Sequence, residues 1–294
     1  MAVVEITGLV KDYGAVHAVR DIDLDVAAGE VVGFLGPNGA GKSTTIRCLL
    51  DLLRPTAGTL RLFGADARHG GVPARRKVAY VPAELRLPPR ATAAELLDAV
   101  ARLRGDCDPA RRADVTERLG LDPGRPTKGL STGNRRKVAL VAAFMSRAEL
   151  LVLDEPTSGL DPLLQQTFRD LVREARARGS AVLLSSHSLA EVQRTADRAV
   201  VLRRGRIVAE GTVDELRGTA AQRIEATFAD RVPDLSGVVG LTDLQVEGRR
   251  IRARFTGAPG PLLAALAAGD PLSVDIAEPD LEDAFRSLYE EAAP

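Results

Sequence analysis

At residues 36–44 the chain carries Gly36-Pro37-Asn38-Gly39-Ala40-Gly41-Lys42-Ser43-Thr44, between an apolar run (Val31–Leu35) and a stretch of helical apolar spacing (residues 46–53). This order predicts a strand, a phosphate-binding loop and a helix, because the loop matches G-x-x-x-x-G-K-[ST]. Small residues let successive backbone N–H groups turn towards phosphates, and the helix N-terminus adds a positive dipole end. A nucleoside triphosphate is therefore the expected ligand.

Most of the loop residues are candidates for binding the triphosphate. They are Gly36, Asn38, Gly39, Gly41, Lys42, Ser43 and Thr44. We expect Lys42 to reach the β- and γ-phosphates and the Ser43 hydroxyl to ligate a Mg²⁺ ion between them. The alternative is a glycine-rich turn that caps an ordinary helix, but the lysine and hydroxyl follow at the spacing that phosphate binding requires.

The composition is that of a globular protein with no global charge. The chain has 294 residues, 45% of them hydrophobic, enough for one large domain and a small one or for two moderate ones. Forty basic residues balance 40 acidic ones, so no overall field favours nucleic acid as a partner. Cys48 and Cys107 are isolated thiols, which fits a reducing cytoplasm. The longest apolar run, residues 138–145, is far shorter than the roughly 18 residues of a membrane helix, so we expect no direct membrane insertion.

Apolar patterning predicts an α/β fold. Short segments at residues 3–6 and 22–26 predict antiparallel strands that lead into the nucleotide-binding core. Further strands are predicted at residues 59–63, 78–81, 150–153, 181–185 and 199–202. Because helices or turns separate these strands, the sheet should be largely parallel and covered on both faces. The expected fold is a P-loop NTPase with a mixed sheet and an antiparallel edge.

Two further regions complete the predicted domain organisation. Residues 88–145 have helical spacing and begin near a capping-box pattern, Thr92-Ala93-Ala94-Glu95, which predicts a helical subdomain at about residues 83–148. Beyond residue 217, five apolar segments and a final amphipathic stretch predict a small α+β domain over residues 218–294. The nucleotide-binding domain would then span residues 1–217.

A second candidate for the nucleotide site follows the strand at residues 150–153. Asp154 and Glu155 are adjacent carboxylates at the carboxyl end of a predicted parallel strand, where successive side chains point to different faces. Asp154 is expected to orient Mg²⁺, and Glu155 to polarise the attacking water as general base. A strand end that meets a solvated acidic turn is the alternative.

These residues, with three further motifs in order, resemble the nucleotide-binding subunit of an ABC transporter, of the drug-exporter or ABC-2 type. Residues 130–134, Leu-Ser-Thr-Gly-Asn, resemble the signature LSGGQ. Residues 153–162 resemble the Walker B strand running into the D-loop, and Ser186-His187 resembles the switch histidine. The resemblance covers residues 3–217.

The resemblance implies an ATPase that powers a separate transmembrane permease from the cytoplasmic face of the membrane. Two copies would form a head-to-tail homodimer around two ATP molecules, with Ser131 and Gly133 of one copy binding the γ-phosphate held by the other. It also implies that Asp161 shapes the dimer contact, that His187 reaches the γ-phosphate and the attacking water, and that Tyr13 stacks on adenine.

Each of these residues also has an ordinary structural interpretation. Without the resemblance, Ser131 and Gly133 would belong to a capped helix start, and Asp161 would cap a helix that begins at Pro162. His187 at a strand end would be structural, and Tyr13 could pack in the core.

The sequence departs from the family pattern after the strand at residues 78–81. The family has a glutamine in this Q-loop, whereas Ala83 stands here and is followed by Glu84. Either Glu84 substitutes for the glutamine or that ligand is missing. The second case would allow an alternative function, a nucleotide-dependent dimerising switch with little or no hydrolysis. A cassette acting on DNA or the ribosome is a third hypothesis, but neither a long coiled-coil insertion nor a second cassette is present, and we expect no nucleic-acid partner.

Overall fold

The computed structural model describes residues 2–69, 71–218 and 222–277. The chain divides into two compact units, Met1–Glu210 and Gly211–Pro294. Among the described helices, none combines the length and the apolar character needed to cross a bilayer.

The described residues of the first unit contain ten strands and seven helices, and the last of these strands extends two residues beyond the unit. In chain order they are β1 (Ala2–Tyr13), β2 (Val16–Ala27), β3 (Val31–Leu35), α1 (Lys42–Leu49), β4 (Ala57–Leu62), β5 (Ala65–Asp66), α2 (Gly71–Arg76), β6 (Val78–Val81), α3 (Ala93–Arg104), α4 (Pro109–Arg118), α5 (Thr132–Phe144), β7 (Leu150–Asp154), α6 (Pro162–Ala177), β8 (Ala181–Ser186), α7 (Leu189–Thr195), β9 (Arg198–Arg203) and β10 (Arg206–Thr212).

Two sheets organise this unit. The larger has the strand order β10-β9-β3-β8-β7-β6, and its five strands from β9 to β6 run parallel. The smaller has the order β2-β1-β4-β5, and its strands are antiparallel. The predicted α/β fold, with a largely parallel sheet and an antiparallel edge, is therefore confirmed. In the parallel sheet β3 lies beside β8 and β8 beside β7, so their carboxyl ends meet at one edge.

The parallel sheet separates two hydrophobic cores. In β7, Leu150 and Val152 face the core shared with the antiparallel sheet, whereas Leu151 and Leu153 face the core shared with α5 and α6. Both sets of side chains are fully buried, as the period-two geometry of a covered strand requires. The continuous apolar run at residues 150–153 is the signature of this two-sided burial.

Three helices form the predicted helical region. At the start of α3 both hydrogen bonds of the capping box are present, with Thr92 and Glu95 exchanging bonds at 2.8 and 3.2 Å. Helix α5, behind the signature loop, begins at Thr132, directly after its cap Ser131. Its first turn is polar, and its buried apolar residues begin at Val138.

The second unit contains a sheet with a helix packed on one face. Its described elements are α8 (Val213–Gly218), β11 (Gln222–Phe228), β12 (Leu241–Glu247), β13 (Arg250–Phe255), α9 (Pro259–Ala267) and β14 (Pro271–Ala277). The strand order is β12-β13-β11-β14, with all pairs antiparallel, and a separate apolar core includes Phe228, Phe255 and Leu262. The predicted final helix at residues 280–289 lies outside the described residues.

Candidate active site

Glycines shape the loop between β3 and α1 by allowing close backbone contact. A Cβ atom on Gly36 would lie 2.3 Å from the carbonyl oxygen of Leu202. One on Gly41 would lie 2.6 Å from that of Ala18, and Gly41 also has a φ of +111°. The loop therefore packs against β2 and β9 so closely that only glycine fits at these two positions. Asn38 and Gly39 lie exposed at its tip.

Lys42 is the first residue of α1, and its side chain is buried by the loop. It is 5% exposed, and its Nζ donates to the carbonyl oxygens of Gly36 at 2.5 Å and Pro37 at 3.3 Å. The same Nζ lies 3.3 Å from Oε1 of Glu155. The loop thus folds around a positive charge that is already directed at the end of β7.

Asp154 is the last residue of β7 and is completely buried. Its Oδ1 accepts hydrogen bonds from Ser185 Oγ at 2.5 Å and Ser43 Oγ at 3.1 Å, whereas its Oδ2 is buried without a hydrogen-bond partner. A buried carboxylate oxygen with no donor, beside a serine hydroxyl, fits a divalent cation that prefers oxygen ligands. Asp154 and Ser43 are therefore suited to Mg²⁺.

Glu155 is held in an unusual backbone conformation. Its φ is +50°, in the left-handed region, and its N–H donates to the Oγ of Ser185 at 3.1 Å. Its carboxylate is contacted from two sides, by Lys42 Nζ on Oε1 and by Nδ1 of His187, 2.7 Å from Oε2. The side chain of Glu155 is 15% exposed and that of His187 is 58% exposed. The carboxylate is therefore mostly buried, with its Oε2 beside a half-exposed imidazole.

The signature residues lie at the start of α5. Ser131 caps this helix, and its Oγ accepts a hydrogen bond from the N–H of Asn134 at 3.3 Å. A Cβ atom on Gly133 would lie 2.8 Å from the carbonyl oxygen of Gly159. The capped helix start is thus present, and Gly133 has a packing role within its own chain. Ser131 itself is exposed.

Two further predicted site residues, Asp161 and Tyr13, lie at the ends of secondary-structure elements. Asp161 caps α6 and accepts a hydrogen bond from the N–H of Leu164 at 3.0 Å. Tyr13 ends β1 and is 47% exposed, with Lys11 Nζ 4.9 Å from its ring centroid. Core packing, the structural alternative for Tyr13, is therefore wrong, and Lys11 lies over one face of the ring.

Three side chains near the site escaped the sequence analysis. Ser185 joins Asp154 to the backbone of Glu155, although at the end of β8 it looks like an ordinary strand residue. Arg136 is 2% exposed and donates to the carbonyl oxygens of Pro82 at 2.7 Å and Ala83 at 2.7 Å. The third, Glu191, lies in α7. Arg136 lies four residues before buried Leu140, so helical spacing indicates its burial but not the segment that it contacts.

Arg136 links α5 to the segment that carries the expected Q-loop position. Burial lowers the pKa of its guanidinium, and the negative charges of Asp154 and Glu155 oppose that shift. Ala83 contributes only its backbone carbonyl to this link, and the side chain of Glu84 is exposed without a recorded hydrogen bond or ion pair. The structure therefore does not bring Glu84 to the carboxylates.

Comparisons with known proteins identify the family of this chain. The ABC transporter family model matches residues 19–158. The chain is 40% identical over 226 residues to the daunorubicin/doxorubicin resistance ATP-binding protein DrrA of Streptomyces peucetius, covering 75% of this chain and 68% of that protein. It is 31% identical to the bacitracin transport ATP-binding protein BcrA of Enterococcus faecalis, over 97% of this chain and 96% of that one.

Solved structures include similar folds. The ATP-binding subunit of an ABC transporter, 33% identical, matches with a TM-score of 0.68 over 73% of this chain and 92% of that one. A bacterial ABC transporter cassette solved as a dimer matches at 21% identity with a TM-score of 0.65, over 71% of this chain and 98% of that one. The second match supports the fold alone.

Proposed function

This chain belongs to the ATP-binding subunits of ABC transporters, and from that premise we propose how its residues bind and hydrolyse ATP. It is an ATPase that powers a separate membrane permease through ATP-driven dimerisation. The observation that carries the residue assignment is the position of the Glu155 carboxylate, between Lys42 Nζ at 3.3 Å and His187 Nδ1 at 2.7 Å.

The proposed chemistry follows from these contacts. Loop N–H groups and Lys42 bind the β- and γ-phosphates, with Gly36, Asn38, Gly39, Gly41 and Thr44 completing the cradle. When phosphates enter, the Lys42 ammonium exchanges its contact with Glu155 for a contact with them, which leaves that carboxylate to accept a proton from water. His187 orients the water and the γ-phosphate, and the left-handed backbone of Glu155 directs its carboxylate out of the strand.

Mg²⁺ is part of this proposal because Asp154 and Ser43 fit it. Within the described residues no group of three His, Cys, Asp or Glu side chains forms a metal cluster, so phosphate oxygens and water would complete the ligand set. When bound, the ion would neutralise phosphate charge. Asp154 would hold it through its Oδ2, and Ser43 through its hydroxyl.

The other half of each ATP site is proposed to come from a second copy of the chain. Ser131 is exposed at the N-terminus of α5, a 13-residue helix whose dipole favours an anion, yet no phosphate-binding group of the same copy is recorded against it. In a head-to-tail homodimer Ser131 and Gly133 would bind the partner's γ-phosphate, Asp161 would shape the contact, and Tyr13 would stack on adenine.

Further aspects of function follow from the relatives. Because proteins named for drug resistance and bacitracin transport are similar to this chain, we propose that it drives export. It would act on the cytoplasmic face of the membrane, held there by its permease. We also propose that residues 1–217 form the nucleotide-binding domain, with residues 83–148 as its helical subdomain, and that residues 218–294 form an accessory domain. A switch that binds ATP without hydrolysis is disfavoured, because Lys42, Glu155 and His187 are all present.

Binding and turnover of ATP test the proposal directly. Mg²⁺-ATP should be hydrolysed by the full chain, and Lys42→Ala should weaken ATP affinity by more than about tenfold because the buried ammonium is lost. The exposed Lys128→Ala is the control and should leave affinity unchanged. Unchanged affinity in Lys42→Ala would contradict the phosphate-loop assignment. A single-turnover experiment with the wild-type chain and Mg²⁺ measures whether bound ATP is hydrolysed. ATP that remains intact would favour the nucleotide-dependent switch.

A further inference from the structure

Glu191 is a buried carboxyl group beside the candidate site, and no step described above uses it. Its Oε2 accepts a hydrogen bond from Ser186 Oγ at 2.6 Å, whereas Oε1 is buried without a hydrogen-bond partner. Burial raises the pKa of Glu191, and the hydroxyl groups of Ser186 and Thr157 oppose the shift. Burying a carboxyl group with one oxygen unpaired lowers the stability of the fold. Its presence here therefore calls for a functional explanation.

The hydrogen bonds of Glu191 depart from the local motif to which it belongs. Ser188 caps α7 and Glu191 follows three residues later, as Glu95 follows Thr92 at the start of α3. In α3 the glutamate accepts from the N–H of its own cap residue at 2.8 Å. In α7 the N–H of Ser188 donates instead to Ser186 Oγ at 2.9 Å, and the glutamate is directed to that same hydroxyl. Glu191 is therefore engaged with the end of β8.

The turn that receives this hydrogen bond carries the switch histidine. Ser186 Oγ donates to Glu191 and accepts from the N–H of Ser188, so the hydroxyl spans the residues on either side of His187. His187 in turn contacts Glu155 with its Nδ1 at 2.7 Å. The orientation of the hydroxyl, and with it the shape of the turn, depends on the acceptor that Glu191 supplies.

Glu191 also lies near the loop that follows Glu155. Thr157, Gly159, His187 and Glu191 all line one cavity of about 290 Å³. The carbonyl oxygen of Gly159 is the group against which Gly133 packs. Glu191 therefore lies beside both loops that border the catalytic carboxylate.

We propose that Glu191 is a positioning residue for ATP hydrolysis, which holds the turn at residues 186–188 so that His187 contacts Glu155. The inference rests on the proposed function, because it acts through His187.

Steady-state kinetics of the full-length chain test this role. Glu191→Ala should lower kcat by roughly 10- to 100-fold, the cost of a misplaced catalytic group, while KM for ATP stays within about twofold. Glu191→Gln keeps an acceptor oxygen for Ser186 and should retain kcat within about threefold of wild type. The matched control is Glu95→Ala, which removes a glutamate from the same helical position in α3 and should leave kcat unchanged. Equal kcat losses in Glu191→Ala and Glu95→Ala would overturn the inference.

A double-mutant cycle separates this inference from the proposed function. If Glu191 acts through His187, then adding Glu191→Ala to His187→Ala should lower kcat no further. Additive losses, or wild-type kcat in Glu191→Ala beside an impaired His187→Ala, would overturn the Glu191 role alone. Wild-type kcat in His187→Ala would instead remove His187 from the mechanism, and the positioning role with it.

Discussion

The two loops expected to face ATP differ in how completely their own chain prepares them. At the end of β7, Asp154 is fully buried and bonded to two serine hydroxyls, and Glu155 is contacted by Lys42 and His187. At the start of α5, Ser131 is exposed and bonded only to its own helix. The first region is preorganised by contacts within one chain, whereas the second is an exposed helix start. The proposed head-to-tail dimer accounts for this difference, because one chain would then contain the catalytic groups but only half of each binding pocket.

Removing the general base should produce the largest effect. Glu155→Gln keeps the size of the side chain but cannot accept a proton from water, so kcat should fall by about 10²- to 10⁴-fold while ATP still binds. The expected result is an ATP-bound dimer that persists on size-exclusion chromatography. The control is Glu149→Gln, at the other end of the same strand, where the exposed carboxylate pairs with Lys77. Wild-type turnover in Glu155→Gln would contradict the base role.

The signature loop should matter for turnover without affecting nucleotide binding by one chain. Ser131→Ala removes a hydroxyl donor and should lower kcat on the order of 100-fold, with ATP affinity of the monomer unchanged. It also removes a helix cap, worth about 1 kcal/mol. Thr92→Ala loses an equivalent cap in α3 and controls for that cost. If both variants lose turnover equally, the exposed loop is structural and the contrast between the two regions disappears.

The link between α5 and the segment at residues 82–83 should be visible in stability. Arg136→Ala leaves the carbonyl oxygens of Pro82 and Ala83 without their donor in a buried setting, which should lower the free energy of unfolding by about 2 kcal/mol. Its neighbour Arg135 is exposed, and Arg135→Ala should change stability by less than about 0.5 kcal/mol. Urea denaturation followed by circular dichroism measures both. Equal effects would mean that the buried guanidinium does not join α5 to this segment.

The smallest effect is expected at Glu84. Because its side chain is exposed and makes no hydrogen bond or ion pair within the described part of the chain, Glu84→Ala should leave kcat within about twofold of wild type. A large loss of turnover would show that Glu84 moves into the site when ATP binds and replaces the absent glutamine. The same assay on Ala83→Gln would then show whether a glutamine at this position restores the missing ligand.

Sequence alone predicted the features that local pattern determines. The parallel strands follow from apolar runs buried on both faces, and the loop follows from glycines whose neighbours leave no room for a Cβ atom. The residues that connect distant segments escaped prediction. Ser185 serves Asp154 only because β8 lies beside β7, and Arg136 stands in a polar run that resembles a solvated helix face. Such roles depend on which segments lie side by side in the fold, and a single sequence does not show that.

The left-handed backbone at Glu155 has a consequence for evolution of the chain. A non-glycine residue in this conformation costs on the order of 1 kcal/mol, so glycine at this position would relax the turn. An inactive Glu155→Gly chain could therefore fold at least as well as the active one. Selection for stability and selection for turnover therefore oppose each other at this residue. The acidic side chain would be kept only where ATP hydrolysis is under selection.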